Sequence, residues 1–143
     1  MYGIAYGLSV LHSQDIAFQN LNSSNIFLNE LFYPKIHGFS QAAKITGTAP
    51  ESYFNEDISP SYMAPEVINS EPFQLKSDVY SFGILAYEII SGQKAYGKSA
   101  NIMKILTGAR PQFNESIPQS YQNLIQRCWS DEIDERPTSQ EIL

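Results

Sequence analysis

The sequence predicts a mainly α fold: a helical bundle around one central buried helix, with a small β-hairpin beside it. Three observations carry this. Lys76–Ser91 is apolar nearly all round (Val79, Phe82, Ile84, Leu85, Ala86, Ile89, Ile90) and closes on Gly92, and a helix apolar on every side belongs inside a domain. Stretches before and after it repeat apolar residues at the three- and four-residue spacing of amphipathic helices. Two short apolar runs, Ile26–Leu28 and Tyr33–Ile36, flank a polar turn, the pattern of a hairpin that holds two loops side by side.

In chain order, Met1–Ser13 sets Ile4, Leu8 and Leu11 on one stripe with Ala5 beside them. Gly3 and Gly7 interrupt it, each costing about 1 kcal/mol against Ala. The stripe is already running at Met1 with no capping residue ahead of it, so the first helix is expected to be a cut one. After the hairpin, Gln41–Asn55 is polar and irregular and then tightens into Ser59–Glu66, a long loop of the kind that is functional or mobile. A shorter helix is expected over Ser99–Thr107, with Ser99 as N-cap, Gly108 as stop and one sticky face from Ile102, Ile105 and Leu106. Pro118 opens an amphipathic helix carrying Tyr121, Leu124, Ile125, Cys128 and Trp129. Thr138-Ser-Gln-Glu141 is a capping box announcing a last helix. The chain stops at Leu143, and one turn cannot hold itself, so this end is expected to be cut or to lean on its neighbours.

At 143 residues the chain is one domain, and 43% hydrophobic and 13% aromatic residues suffice for a core. A net charge of −6 and a pI of about 4.8 argue against nucleic acid or an anionic membrane as partner. The single cysteine, Cys128, fits a reducing compartment, and no charged-then-apolar leader opens the sequence. Val79–Ile90 is too short to span a bilayer and carries Glu88. The expectation is a cytoplasmic protein with protein partners, no nucleic acid and no membrane. Cys128 falls on an apolar stripe and reads as a buried small hydrophobe. His12 reads as a hydrogen-bonded helix-end residue, and His37 has no acid beside it.

Several short strings then occur in a fixed order. They are Leu11-His12-Ser13, Asn20-Leu21 with Asn25-Ile26-Phe27-Leu28, Pro34-Lys35-Ile36, Tyr62-Met63-Ala64-Pro65-Glu66, Ser77-Asp78-Val79-Tyr80-Ser81-Phe82-Gly83, Arg127-Cys128-Trp129 and Arg136-Pro137-Thr138. In this order and spacing the chain resembles the protein kinase superfamily, with wording closest to the tyrosine-kinase-like group, whose members mostly phosphorylate Ser and Thr. The resemblance covers residues 1–143. It implies a partial kinase domain: the C-terminal lobe only, from the helix before the catalytic loop to the start of the last helix. The family's N-terminal lobe, with its Gly-rich loop, strand lysine and partner glutamate, lies upstream of this stretch and is absent from the sequence.

The same resemblance assigns residues. On H-R-D-L-x-x-x-N and D-F-G, this chain has Phe18, Gln19, Asn20, Leu21 and Asn25, then Gly38, Phe39 and Ser40. Asn20 stands where the family's catalytic Asp accepts the substrate proton, and an amide cannot take it. Asn22 stands where a Lys or Arg steadies the phosphate, and Gly38 where the metal-binding Asp should be. Asn25 keeps the second-metal position, but without carboxylates beside it a turn role on local backbone is preferred. Asn25, Phe27 and His37 take the nucleotide-side positions. Phe18 and Phe39 are expected to stack, and with Phe27, Leu85 and Ile89 are expected to be plain core. Asp78 should clamp the backbone near Phe18–Gln19, and Glu66 and Arg136 should form a buried ion pair. Thr46, Thr48, Ser52 and Ser59 are candidate phosphosites in the activation segment. The expected function is a pseudokinase: inactive, acting through protein binding or regulation by the Ser99–Thr107 helix face and the loop before Ala64-Pro65-Glu66. No cofactor is expected for this chain, although the family uses ATP and Mg. An active Ser/Thr kinase, of which this would be part, and a fragment without function remain as alternatives. The missing N-terminal lobe or another chain is expected to cover the exposed apolar face.

Overall fold

A computed structural model describes residues 1–45, 59–97 and 100–143. In chain order the elements are α1 (Tyr2–His12), β1 (Ile16–Ala17), β2 (Ile26–Leu28), β3 (Pro34–Ile36), β4 (Ala43–Lys44), α2 (Pro65–Ile68), α3 (Leu75–Ser91), α4 (Ile102–Leu106) and α5 (Gln119–Cys128). Helices dominate, and the strands form two separate two-stranded sheets. No helix among the described residues is long and apolar enough to cross a membrane.

α3 is the axis of the fold, and every residue from Ser77 to Tyr87 on it is buried. Its start is fixed by a reciprocal pair: the Gln74 carbonyl takes the N–H of Ser77 at 2.9 Å, and the Ser77 hydroxyl takes the N–H of Gln74 at 3.2 Å. Gly92, at φ +68°, ends it in the left-handed conformation that costs glycine least. Onto α3 pack α5, through Ile125, Cys128 and Trp129, and α1, through Ile4, Ala5 and Leu8.

The glycines of α1 turn out to have a use. A Cβ on Gly3 would sit 2.7 Å from Pro34 Cγ, and one on Gly7 would sit 2.8 Å from Ile36 Cδ1. The helix therefore lies directly on β3, and the helical propensity lost there is exchanged for close approach.

β2 and β3 pair antiparallel with Ile26 opposite Ile36, Phe27 opposite Lys35 and Leu28 opposite Pro34. The β1–β4 pair, Ile16 opposite Lys44 and Ala17 opposite Ala43, was not expected from the sequence. Two-residue strands carry no periodicity, and their pairing is set by the loop they close.

Two helix boundaries differ from expectation. α4 covers Ile102–Leu106 only, and its cap is Asn101, whose Oδ1 accepts the N–H of Lys104 at 3.2 Å. Ser99 lies outside the described residues. At the other end the capping box closes without a helix. The Glu141 carboxylate accepts the Thr138 N–H at 2.7 Å and its hydroxyl at 2.9 Å, and the Glu141 N–H returns to Thr138 Oγ1 at 3.2 Å. The residues after it make turns, because a cap supplies no propagation.

Candidate functional site

The loop between β1 and β2 is held from below by α3. Asp78, fully buried in the first turn of α3, takes the N–H of Phe18 on Oδ2 at 2.7 Å and that of Gln19 on Oδ1 at 2.8 Å. The same Oδ2 lies 3.0 Å from Nε2 of His12 at the end of α1. Gln19 sits at φ +66°, a conformation a side-chain-bearing residue keeps only when its surroundings impose it. Phe18, fully buried, meets Phe39 edge-on with ring centroids 5.2 Å apart.

Above this clamp three asparagines close on one another. Asn22 Oδ1 accepts the N–H groups of Ser24 at 2.9 Å and Asn25 at 3.2 Å, capping a single turn over Ser23–Asn25. Its Nδ2 donates to the carbonyl of Asn20 at 3.0 Å and to Asn20 Oδ1 at 2.8 Å. Asn25 Nδ2 donates to that same Asn20 carbonyl at 2.8 Å. The Asn25 Oδ1 is turned toward Gly38, where a Cβ would meet it at 2.7 Å. Gly38 itself is at φ +83°, strained for any other residue. His37 donates its N–H to the Asn25 carbonyl at 2.8 Å, and its exposed ring stands against Phe27 at 5.1 Å. The cluster is neutral and has no carboxylate. Its amides are engaged with backbone and with each other, so it offers neither a proton acceptor of useful basicity nor a charged oxygen for a hard cation.

Three side chains expected in the core are not there. Phe27 is 55% exposed, Phe39 50% and Ile89 49%, whereas Phe18 and Leu85 are buried. The pleat explains Phe27: Ile26 and Ile36 take the face that packs on the core, so Phe27 and Lys35 take the other. Phe39 follows the left-handed turn at Gly38, and Ile89 lies on the last turns of α3, beyond its fully buried span.

Glu66 and Arg136 lie in the interior, 5% and 1% exposed. Arg136 Nη1 donates to Oε1 at 2.7 Å and Nη2 to Oε2 at 2.8 Å, while Ser77 adds its hydroxyl to Oε1 at 2.7 Å. Burial alone would raise the Glu66 carboxyl, but the bonds and charge of Arg136 outweigh it and hold the pKa below the ordinary glutamate value. Arg136 also donates to the carbonyls of Ser130 and Lys76, which ties the last segment to α3. Cys128 is fully buried, and that burial pushes its thiol up to about 12, so it is no nucleophile.

One polar cluster gives no signal in the sequence. The Tyr62 hydroxyl donates to Glu88 Oε2 at 2.6 Å and lies 3.0 Å from Ser23 Oγ. Lys94 Nζ reaches Glu88 Oε2 at 3.0 Å and Ser23 Oγ at 2.9 Å. Burial, then the bond to Glu88, raises the Tyr62 phenol above its usual value. The cluster ties the turn ahead of α2 to the end of α3 and to the asparagine turn. Ser59 lies at the edge of this groove, while Thr46, Thr48 and Ser52 fall outside the described residues.

Comparison with known proteins places this geometry in a family. Residues 1–143 match the model of the protein tyrosine and serine/threonine kinase family, and the chain belongs to the protein kinases. It is 32% identical over 139 residues to the RGS domain-containing serine/threonine-protein kinase A of Dictyostelium discoideum, which covers 95% of this chain and 12% of that protein. It is 31% identical over 149 residues to serine/threonine-protein kinase 12 of Arabidopsis thaliana, which covers 98% of this chain and 32% of that one. The chain thus spans between 9% and 32% of the length of the curated relatives it matches.

Proposed function

We propose that this chain is a kinase-like module that does not transfer phosphate, corresponds to the helical C-terminal lobe of a kinase domain, and works through protein contacts. The observation that supports this best is the packing of Asn25 against Gly38. A carboxylate at position 38 would have to share space with Asn25 Oδ1, on a backbone at φ +83°. Phosphoryl transfer rests on positioned metal ions and a carboxylate base. Magnesium requires oxygen ligands in near-octahedral geometry with carboxylate or phosphate charge nearby. The donors here are neutral amides already committed to one another, and among the described residues no three His, Cys, Asp or Glu side chains come together. The cluster does not fit the ion.

What the module offers instead is surface. Leu28, Leu31, Phe32 and Tyr33 of the hairpin are 61% to 80% exposed, and Tyr2 and Tyr6 on α1 stack at 6.4 Å with more than half of each in solvent. α4 adds Met103, 67% exposed. Apolar surface of this kind marks a site of protein contact. Its occupant is an N-terminal lobe or another chain, and the setting is the cytoplasm. The test is to put the carboxylates back. In Asn20→Asp/Gly38→Asp the expectation is no phosphate transfer with Mg or Mn and a less stable protein. Measurable transfer by the unsubstituted chain would overturn the proposal, and transfer by the double variant alone would overturn the expectation that the helical lobe cannot act without the nucleotide-gripping one.

A further inference from the structure

Three features of one face meet at the first turn of α1. Tyr2 and Tyr6 stack in solvent at 6.4 Å, and Val10 follows at the same four-residue spacing, half exposed, so the outer side of the helix is an apolar stripe. On one flank of the stripe Gly3 and Gly7 lie against Pro34 and Ile36 of β3, which sets the hairpin tip beside it. On the other flank is a groove of about 330 Å³ between α1, α3 and α5, lined by Tyr2, Ala5, Phe82, Ala86, Tyr121 and Leu124. Phe82 and Ala86 are buried and form its floor. The order across the face is tip, stripe, groove.

The tip is a built knob. Asn29 Oδ1 accepts the N–H groups of Leu31 at 3.1 Å and Tyr33 at 2.8 Å, and the Asn29 carbonyl accepts that of Phe32 at 2.9 Å. Pro34 has no N–H, so from Leu31 to Pro34 no backbone donor is left for water. Phe32, the most exposed of the large apolar residues, is held at φ +60°, where a bulky side chain is a rare outlier. A strained turn that closes its own hydrogen bonds and aims an aromatic ring outward is suited to an apolar contact.

Charge and area narrow the occupant. Glu30 is the single charged residue from Ile26 to Pro34, and α1 has no Asp, Glu, Lys or Arg, so nothing basic here draws an anionic bilayer and little charge has to be desolvated against a protein. At the ~150–250 Å² that a whole aromatic side chain presents, Tyr2, Tyr6, Phe32 and Tyr33 with Leu28, Leu31 and Val10 expose roughly 800 Å². That matches the ~800 Å² per partner of a standard interface and exceeds the ~300–600 Å² of the largest apolar patch on an ordinary monomer.

We propose that this face binds a second copy of the chain in a twofold dimer. An axis through the Tyr2–Tyr6 stack carries the knob of each copy to the groove of the other, so one patch is its own complement and the assembly closes at two. The proposal rests on the reading of this face as a protein-contact surface and is independent of phosphate transfer.

The test is sedimentation equilibrium of the intact chain from ~1 to ~100 μM, the range in which a micromolar dimer forms and dissociates. The expected result is a mass that climbs from 16.1 kDa to a plateau at twice that value. Phe32→Asn removes the ring and puts at φ +60° a residue that tolerates it, so the fold should be kept while dimerisation weakens roughly tenfold or more. Tyr121→Glu, at a partly exposed position on the groove wall, should weaken it to a similar degree from the other side. Urea unfolding followed by Trp129 shows whether both variants are folded. A chain that stays at 16.1 kDa to the top of that range would overturn the dimer and leave the face to an N-terminal lobe or a different chain. Growth past two copies would overturn the twofold arrangement, and a Phe32→Asn variant as dimeric as the parent would overturn the role of the knob.

Discussion

An Arg136→Met substitution leaves Glu66 in place, 5% exposed, with Ser77 as its remaining side-chain donor. Lost with the guanidinium are both bonds to Glu66, the donors to the Ser130 and Lys76 carbonyls, and the contact 5.2 Å over the Tyr80 ring. Breaking a buried pair from one side costs about 3–5 kcal/mol, a large part of the ~5–15 kcal/mol that holds a domain together. The effect also depends on pH. In the parent chain the Glu66 pKa is below its unfolded value, so the pair contributes stability above that unfolded value and loses it as pH falls through the folded one. In the variant the burial that raises the pKa is no longer opposed, so protonation relieves the stranded charge and the gap between the two proteins narrows in acid. Urea unfolding followed by Trp129, the single tryptophan, at pH 7 and near pH 4 measures both effects. The double substitution Glu66→Leu/Arg136→Met should be less damaging than the sum of the single ones, because it leaves no buried charge. A deficit under about 1 kcal/mol at neutral pH, or one that widens in acid, would refute the assignment of the pair as a buried structural clamp.

Three further substitutions read out other parts of the structure. Tyr80 is fully buried, and its hydroxyl has no hydrogen-bond partner among the described residues. Tyr80→Phe should therefore be neutral or stabilise by about 1 kcal/mol in the same urea assay, and a clear loss would show that the hydroxyl is satisfied. Gly3→Ala places a methyl 2.7 Å from the stiff ring of Pro34. It should cost about 1–2 kcal/mol although Ala is the better helix former, and a higher melting temperature would contradict the close packing of α1 on β3. Asp78→Asn removes the charge and one of the two acceptor oxygens beneath the loop, and should speed hydrogen exchange at the Phe18 and Gln19 amides while lowering stability by about 2–3 kcal/mol. Unchanged protection at those two amides would mean that something else holds the loop.

Sequence carried the helical architecture well where the pattern was long. α3 begins one residue before its apolar run, α5 begins just after Pro118, and the hairpin strands fall within a residue of the two apolar runs. Short features were another matter. β1 and β4 are two residues each, and the cap of α4 passed to Asn101 because an asparagine oxygen three residues ahead of Lys104 was available. The exposure of Phe27, Phe39 and Ile89 was hidden because residue type reports hydrophobicity and not which face of a pleat or helix end is covered. In the site, the sequence shows two asparagines and a glycine where the kinase motif has charge, beside the retained Asn25. It does not show that the amides bond one another, nor that Asn25 fills the space a side chain at position 38 would need, since both depend on the turn geometry. The Ser23–Tyr62–Glu88–Lys94 cluster left no trace at all, because its members lie on four separated stretches with no shared spacing.

The most direct measurement is phosphate transfer itself: the purified chain with radiolabelled ATP, Mg and Mn in parallel, a generic Ser/Thr protein substrate, and Asn20→Ala as control. The prediction is incorporation no greater than in the control, with either metal. Transfer well above background that disappears in Asn20→Ala would contradict it, because an amide would then be shown to support the chemistry that the closed asparagine cluster argues against.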